Sequence, residues 1–108
     1  MNVETGGAEM AFTTVELEQA EAELDSDVTR DDLFKLGLIC STEIEDRGPD
    51  FVSAHKWFNL AAMMGSQPAK AYRDEVGYEM SSEEITQAQR EAREWLGKNR
   101  QLLVKEAA

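Results

Sequence analysis

The feature that most constrains this sequence is the stretch from residue 50 to residue 65, DFVSAHKWFNLAAMMG. Read at about 100° per residue, it places one set of apolar side chains on a single broad helical face: Phe51, Ala54, Trp57, Phe58, Ala61 and Ala62. The alanines allow neighbouring helices to approach closely, and the two large rings fill the space between them. This stretch predicts a central helix that Asp50 caps, that Gly65 ends, and that other helices flank on two sides.

Four further helices are predicted around the central one. Each begins at a residue whose hydroxyl can cap a helix: Thr13, Thr29, Ser66 and Ser81. Glu16 and Glu84 lie three residues after the first and the last of these caps, which is the spacing of a capping box. No sustained alternation of apolar and polar residues predicts a strand. The pattern predicts an all-α fold of about five short antiparallel helices, the last of which ends at Gly97.

Gly37 lies inside the second predicted helix. Glycine in a helix interior costs about 1 kcal/mol relative to alanine, so its presence there needs a reason. We interpret Gly37 as the site of a close crossing by another helix, because any side chain there would block such an approach. The sequence therefore predicts that a neighbouring helix contacts the second helix at Gly37.

The chain is long enough for one small domain. Its pattern of apolar and charged residues predicts four segments. Residues 1–12 are unpatterned and predicted to be disordered, residues 13–28 form an acidic helical extension, residues 29–97 form the helical domain, and residues 98–108 form a tail or a short helix. No stretch predicts a membrane span or a signal peptide. The single cysteine, Cys40, excludes an internal disulfide and is expected to be buried. Because the sequence predicts neither a disulfide nor a signal peptide, we expect a cytoplasmic location.

Negative charge is concentrated at the front of the chain. The protein has 22 acidic and 11 basic residues, for a net charge of −11. Residues 1–32 hold ten of the acids and one base, so they carry −9, whereas residues 33–108 carry only −2. Nucleic acids and anionic membrane surfaces require clustered Lys and Arg, so this balance disfavours both as partners.

Small and aromatic residues recur at a characteristic spacing. The pattern D-x3-A-x2-W-x3-A-A-x2-G-x3-A is matched from Asp50 to Ala69, and the pair Leu36 and Gly37 precedes it. With these residues, residues 29–65 resemble one full repeat of the Sel1-like family, a relative of the tetratricopeptide repeat. The chain departs from the family where Cys40 stands in place of a usual Tyr, and where no second Leu-Gly pair follows Ala69.

The resemblance implies a short right-handed α/α solenoid fragment that binds another protein or a peptide. In that family the first helix of each pair lines the concave side, which here means residues 29–41 and 67–79. Four residues are expected to project into the groove between these helices: Lys35, Lys70, Arg73 and Tyr78. They predict a basic and aromatic groove suited to an acidic peptide or a C-terminal carboxylate. The acidic N-terminal segment of the chain itself is a rival occupant.

Two other classes of function stay open beside the interaction module. One is a structural subunit that self-associates through its repeat, and the other is an enzyme. Against the enzyme, the only histidine, His55, has no partner at ligand or catalytic spacing and is expected to be partly exposed at the edge of the apolar face. Trp57 and Trp95 are expected in the core rather than in a ligand site. We therefore expect no enzymatic activity, no cofactor and no metal site.

Overall fold

The computed structural model describes residues 13–42 and 48–104, and these form an all-α fold, as predicted. Within them lie α1 (Thr14–Ala22), α2 (Arg30–Cys40), α3 (Phe51–Met63), α4 (Gln67–Gly77) and α5 (Ser82–Asn99), followed by a 3₁₀ turn (Arg100–Leu102). Helix α3 is central, because it packs against α2, α4 and α5. The predicted disorder of residues 1–12 lies outside the described residues, and the right-handed solenoid arrangement stays a prediction.

All five helices begin where the sequence predicts. Each N-cap side chain accepts a hydrogen bond from a backbone N–H in the first turn, and these caps are Thr13, Thr29, Asp50, Ser66 and Ser81. Three of them are complete capping boxes, closed by the carboxylates of Glu16, Asp32 and Glu84. The box at Asp32 was not predicted, since Asp is a shorter side chain than the usual Glu or Gln at that position.

The crossing of α2 and α3 lies at Gly37, as the sequence predicts. A Cβ atom built on Gly37 would overlap the ring of Phe58, whose Cγ lies 2.9 Å from that position. Phe58 and Leu36 are completely or almost completely buried, and Cys40 is buried at 1% exposure. The lack of a side chain at Gly37 therefore allows the ring of Phe58 to pack directly against the backbone of α2.

The turn after α3 is held from α2. Gly65 has a φ of +106°, the left-handed conformation that favours glycine, and it ends the helix as predicted. The guanidinium of Arg30 lies 2.6 Å from the position a Cβ of Gly65 would take. Nη1 of Arg30 also donates a hydrogen bond of 3.1 Å to the carbonyl oxygen of Met64. Arg30 thus ties the start of α2 to the end of α3.

The end of α5 differs from the prediction. The helix continues through Gly97 to Asn99, whose side-chain amide donates a hydrogen bond of 2.9 Å to the carbonyl of Trp95. Gly97 keeps a helical backbone, so it interrupts nothing. On the inner side of α5, Trp95 meets Trp57 of α3 edge to face, with ring centroids 5.5 Å apart. Trp57 is only 3% exposed, which confirms its place in the core.

After the 3₁₀ turn the chain returns to the segment between α1 and α2. Val28 and Leu103 form an isolated parallel β-bridge. The N–H of Val28 donates to the carbonyl of Leu102, and the N–H of Val104 donates to the carbonyl of Val28, both at 2.8 Å. Val28 is fully buried. This single-residue bridge is not a strand, so the prediction of no strand holds for the described residues, and the bridge joins the C-terminal end of the described chain to the segment between α1 and α2.

Candidate functional site

Three aromatic rings meet where α2, α3 and α4 come together. The ring centroids of Phe34 and Phe58 lie 5.7 Å apart, those of Phe34 and Tyr72 5.5 Å, and those of Phe58 and Tyr72 5.6 Å. Phe58 is fully buried, Phe34 is half-buried, and Tyr72 is 42% exposed. We call the surface formed by these three residues the aromatic groove. Phe58 lies fully buried beneath this surface, so only Phe34 and Tyr72 present ring area to solvent, and the three mutual contacts hold the rings in place.

The neighbours of the two outer rings give this groove its charge. Residues three or four apart share one face of a helix. Leu38, one turn after Phe34, is half-buried on the same side of α2. Asp31, one turn before Phe34, and Glu75, one turn after Tyr72, are both exposed. Arg30 also lies one turn before Phe34, but it is half-buried and donates a hydrogen bond to the end of α3. We call the two exposed carboxylates, those of Asp31 and Glu75, the acidic rim of the aromatic groove.

Lys35, the predicted site residue on α2, faces α1 and not the aromatic groove. It follows Phe34 directly, so it lies about 100° further round the helix. Its side chain lines a cavity of about 270 Å³ between α1 and α2, together with Glu16, Gln19, Ala20, Glu23 and Ile39. Lys35 thus faces the acidic helix α1 instead of α4.

The three predicted site residues near α4 also lie away from Tyr72. Nη1 of Arg73 donates a hydrogen bond of 3.1 Å to Oδ1 of Asn59 on α3, and Nε of Arg73 is paired with Oδ1 of Asp74 at 3.2 Å. Lys70 is exposed about 160° round α4 from Tyr72. Tyr78, the C-cap of α4, is 86% exposed. The structure therefore does not gather the four predicted residues into one basic groove, and a binding role for any of them stays a prediction.

Sequence reasoning missed the pairing of Phe34 with Tyr72. Both residues fall in segments that the sequence predicts to be helical. The available signal was the position of Phe34 one turn before Gly37, where the crossing with α3 was predicted. The side of α2 that meets α4 depends on how each helix is rotated about its own axis when it packs on α3. The periodicity of a single helix does not contain that information.

His55 is buried instead of partly exposed, so that expectation was wrong. It is 6% exposed, and among the described residues its Nδ1 has no hydrogen-bond partner. Burial lowers the pKa of His55 below the ordinary 6.5, and the positive charge of Arg73 lowers it further, while the nearby Asp74 opposes the change. The imidazole is therefore held neutral. Across residues 13–42 and 48–104, no cluster of three or more His, Cys, Asp or Glu side chains could hold a metal ion.

The chain was compared with protein-family models, with curated proteins and with solved structures, and none of the three comparisons gives a match. The likeness to the Sel1-like repeat therefore rests on the residue spacing alone and stays a prediction. In the part of the chain that the structure describes, no helix is long and apolar enough to cross a membrane.

Proposed function

We propose that this protein is a helical interaction module that binds a protein or peptide partner in the aromatic groove. The observation that supports this most directly is the exposure of Tyr72, a residue that is 42% exposed although its ring packs on the fully buried Phe58. A rigid aromatic side chain provides a large contact area and loses little entropy on binding, which is why Tyr is frequent among the residues that dominate interfaces. The resemblance to the Sel1-like family, whose members bind proteins, adds independent support.

The charge of the groove suggests which partner segment suits it. Asp31 and Glu75 are exposed on the rim of the groove, one on each helix. A segment that brings an apolar or aromatic side chain to the rings of Phe34 and Tyr72, and a Lys or Arg to the rim, would match the groove in shape and in charge. This partner is the reverse of the acidic peptide that the sequence alone suggested, because Lys35, Lys70 and Arg73 lie elsewhere.

The proposal can be tested by placing a photoreactive phenylalanine analogue at position 72 or at position 78. Both positions hold an exposed tyrosine at or near α4, but Tyr78 is not part of the aromatic groove. Irradiation in native extract is expected to link one defined partner to position 72 and not to position 78. Mass spectrometry of the linked peptide is expected to find an apolar residue beside Lys or Arg, and substitution of that basic residue should abolish the link.

Two results would contradict the proposal. The first is equal labelling at positions 72 and 78, which would indicate non-specific contact with exposed tyrosines. The second is a link that survives the double substitution of Asp31→Asn and Glu75→Gln and the removal of the partner's basic residue, because the rim would then have no part in recognition. Both acidic side chains are exposed, so we expect these variants to fold.

Self-association is the rival function, and light scattering separates it from the proposal. A monomer whose mass is independent of concentration excludes a structural subunit that stacks on its own copies. The absence of enzymatic activity stays a prediction. It is supported by the burial of His55, which removes the only imidazole from contact with solvent and therefore from contact with a substrate.

A further inference from the structure

A second groove runs between α3 and α5, on another face of α3. Met63, at its centre, lies about 140° round the helix from Phe58 of the aromatic groove. The groove consists of two adjoining cavities of about 340 and 160 Å³, which share Met63 and Leu96. The larger is completed by Asn59, Gln89, Ala92 and Arg93, and the smaller by Leu33, Leu60, Met64, Arg100 and Leu103. We call these residues together the α3/α5 groove.

The floor of the α3/α5 groove is apolar and reaches the core. Leu33 and Leu60 line the smaller cavity, although they are only 0% and 2% exposed. At the junction of the two cavities, the side chain of Met63 is 60% exposed. Methionine is a flexible, polarisable side chain that adapts to the shape of a bound group. The groove thus presents an adaptable apolar surface that the described part of the chain leaves open.

Two arginines lie along this groove without an acidic partner. Arg93 lines the larger cavity and Arg100 the smaller one, and both residues are exposed. The single ion pair within 4 Å among the described residues joins Arg73 to Asp74, so neither groove arginine is neutralised there. In a chain with twice as many acidic as basic residues, two unpaired arginines beside one apolar groove form a local reversal of charge.

The two arginines are distributed along the groove, one at each cavity, which favours a ligand that extends along it. Arg93 lies on α5 and lines the larger cavity, whereas Arg100 begins the 3₁₀ turn after Asn99 and lines the smaller one. An amphipathic helix that lies along the groove can present carboxylates about two turns apart on one side, at positions i and i+7, with one carboxylate beside each cavity. Residues i+3 and i+4 of that helix would then face the apolar junction at Met63 and Leu96. A polyanion such as nucleic acid would instead meet the overall charge of −11.

We propose that the α3/α5 groove binds an acidic amphipathic helix of a partner protein. One apolar side chain of that helix enters the cavity beside Met63 and Leu96, and two carboxylates seven residues apart accept charge-assisted hydrogen bonds from Arg93 and Arg100. This surface shares no residue with the aromatic groove, so it is a second site beyond the proposed function, and each of the two proposals can fail without the other. Together the two grooves would let the protein join a basic segment to an acidic helix.

A pair of synthetic peptides provides the test. The first is a helical peptide with glutamates at i and i+7 and leucines at i+3 and i+4, and the second has lysines in place of the two glutamates. Titration followed by amide chemical shifts of the protein is expected to move Met63, Leu96 and Leu103 with the acidic peptide only. The double variant Arg93→Gln, Arg100→Gln is expected to weaken that binding about tenfold or more, since two charge-assisted contacts are lost.

The matched control is Lys98→Gln. This substitution also removes a positive charge from α5, but Lys98 lies about 140° round the helix from Arg93 and lines neither cavity. Its affinity for the acidic peptide is expected to equal that of the unaltered protein. Binding is also expected to weaken with added salt. Met63→Ser, at an exposed position, is expected to keep the fold and to lose affinity, which tests the apolar contact separately.

Three results would overturn this inference. Equal binding of the acidic and the basic peptide would remove the charge argument, and so would an equal loss of affinity in the Lys98→Gln variant. An absence of shifts at Met63 and Leu96 would show that the groove takes no such helix. Finally, a dimer seen by light scattering that the double arginine variant abolishes would assign the groove to a second copy of this chain instead of a partner helix.

Discussion

Gly37 and Gly97 both lie in helix interiors, but their surroundings differ. A Cβ at Gly37 would overlap the buried ring of Phe58, whereas nothing lies within 4 Å of a Cβ at Gly97. Gly97→Ala should therefore raise the free energy of unfolding by about 0.5–1 kcal/mol, since alanine is the better helix former. Gly37→Ala has the same gain in helix propensity but should lower the free energy of unfolding by about 1–3 kcal/mol through overpacking. Urea denaturation of both variants measures the two signs.

The opposite signs make this comparison decisive for the crossing of α2 and α3. Gly37→Leu, which adds a larger side chain, should lower the free energy of unfolding further than Gly37→Ala does. If Gly37→Ala stabilised the protein as much as Gly97→Ala, the ring of Phe58 would have to be free to move away. The close approach of the two helices would then not be the reason for a glycine at this position.

His55 should make the stability fall as the pH is lowered below 6.5, the ordinary pKa of an imidazole. It is the only histidine, and its folded pKa lies below the 6.5 of an exposed imidazole because of burial and of the charge of Arg73. Between the folded pKa and 6.5, the unfolded chain binds more protons than the folded one, so stability falls as the pH is lowered through this range. Thermal unfolding at a series of pH values measures the slope.

The control for this prediction is His55→Gln, which keeps a buried polar side chain but removes the ionisable group. The variant is expected to be less stable at neutral pH, and its loss of stability as the pH is lowered below 6.5 should be smaller than that of the unaltered protein. The slope, and not the absolute stability, is the quantity to compare. Identical slopes would mean that another group titrates in this range, and that the pKa of His55 is not lowered.

Helix starts could be predicted from the sequence, whereas one helix end and the closing contact could not. A cap such as Thr13 with Glu16 acts within four residues, so the sequence contains all that forms it. Gly97 could end a helix or continue it, because glycine adopts helical φ and ψ angles as well as left-handed ones. The bridge between Val28 and Leu103 pairs single residues from distant segments, so no periodic pattern of apolar residues predicts it.

For the candidate site too, the features encoded by nearby residues could be predicted, and those that depend on tertiary packing could not. The apolar face of α3 and the crossing at Gly37 were predicted, because small residues at fixed spacing encode them. The four site residues were chosen for their charge and their helix, and the structure distributes them over different neighbours. Lys35 meets α1, Arg73 meets Asn59, and Lys70 and Tyr78 are exposed. Rotation of each helix about its own axis, which tertiary packing determines, decides these contacts.

At the scale of the whole molecule, α1 connects the acidic front of the chain to the domain. Ala20 is buried, and Leu17 and Leu24 pack against the core, with α2 as the neighbouring helix. These contacts are apolar, so packing holds α1 against α2. The sequence suggested that the acidic segment covers a groove holding all three predicted basic residues, but of these the structure places only Lys35 beside α1.

Deletion of residues 1–25 therefore has a more specific expected result than masking of a whole basic groove. The amides of Lys35 and Ile39 should shift, since both residues line the cavity with Glu16 and Glu23, while those of Lys70 and Arg73 should not. The double variant Glu16→Gln, Glu23→Gln separates charge from packing, because it keeps α1 and removes only the carboxylates. If it moves Lys35 as far as the deletion does, then charge holds α1 next to α2; if it does not, the apolar contacts of Ala20 do. Shifts at Lys70 and Arg73 after the deletion would contradict this arrangement, because they would place the acidic segment over α4.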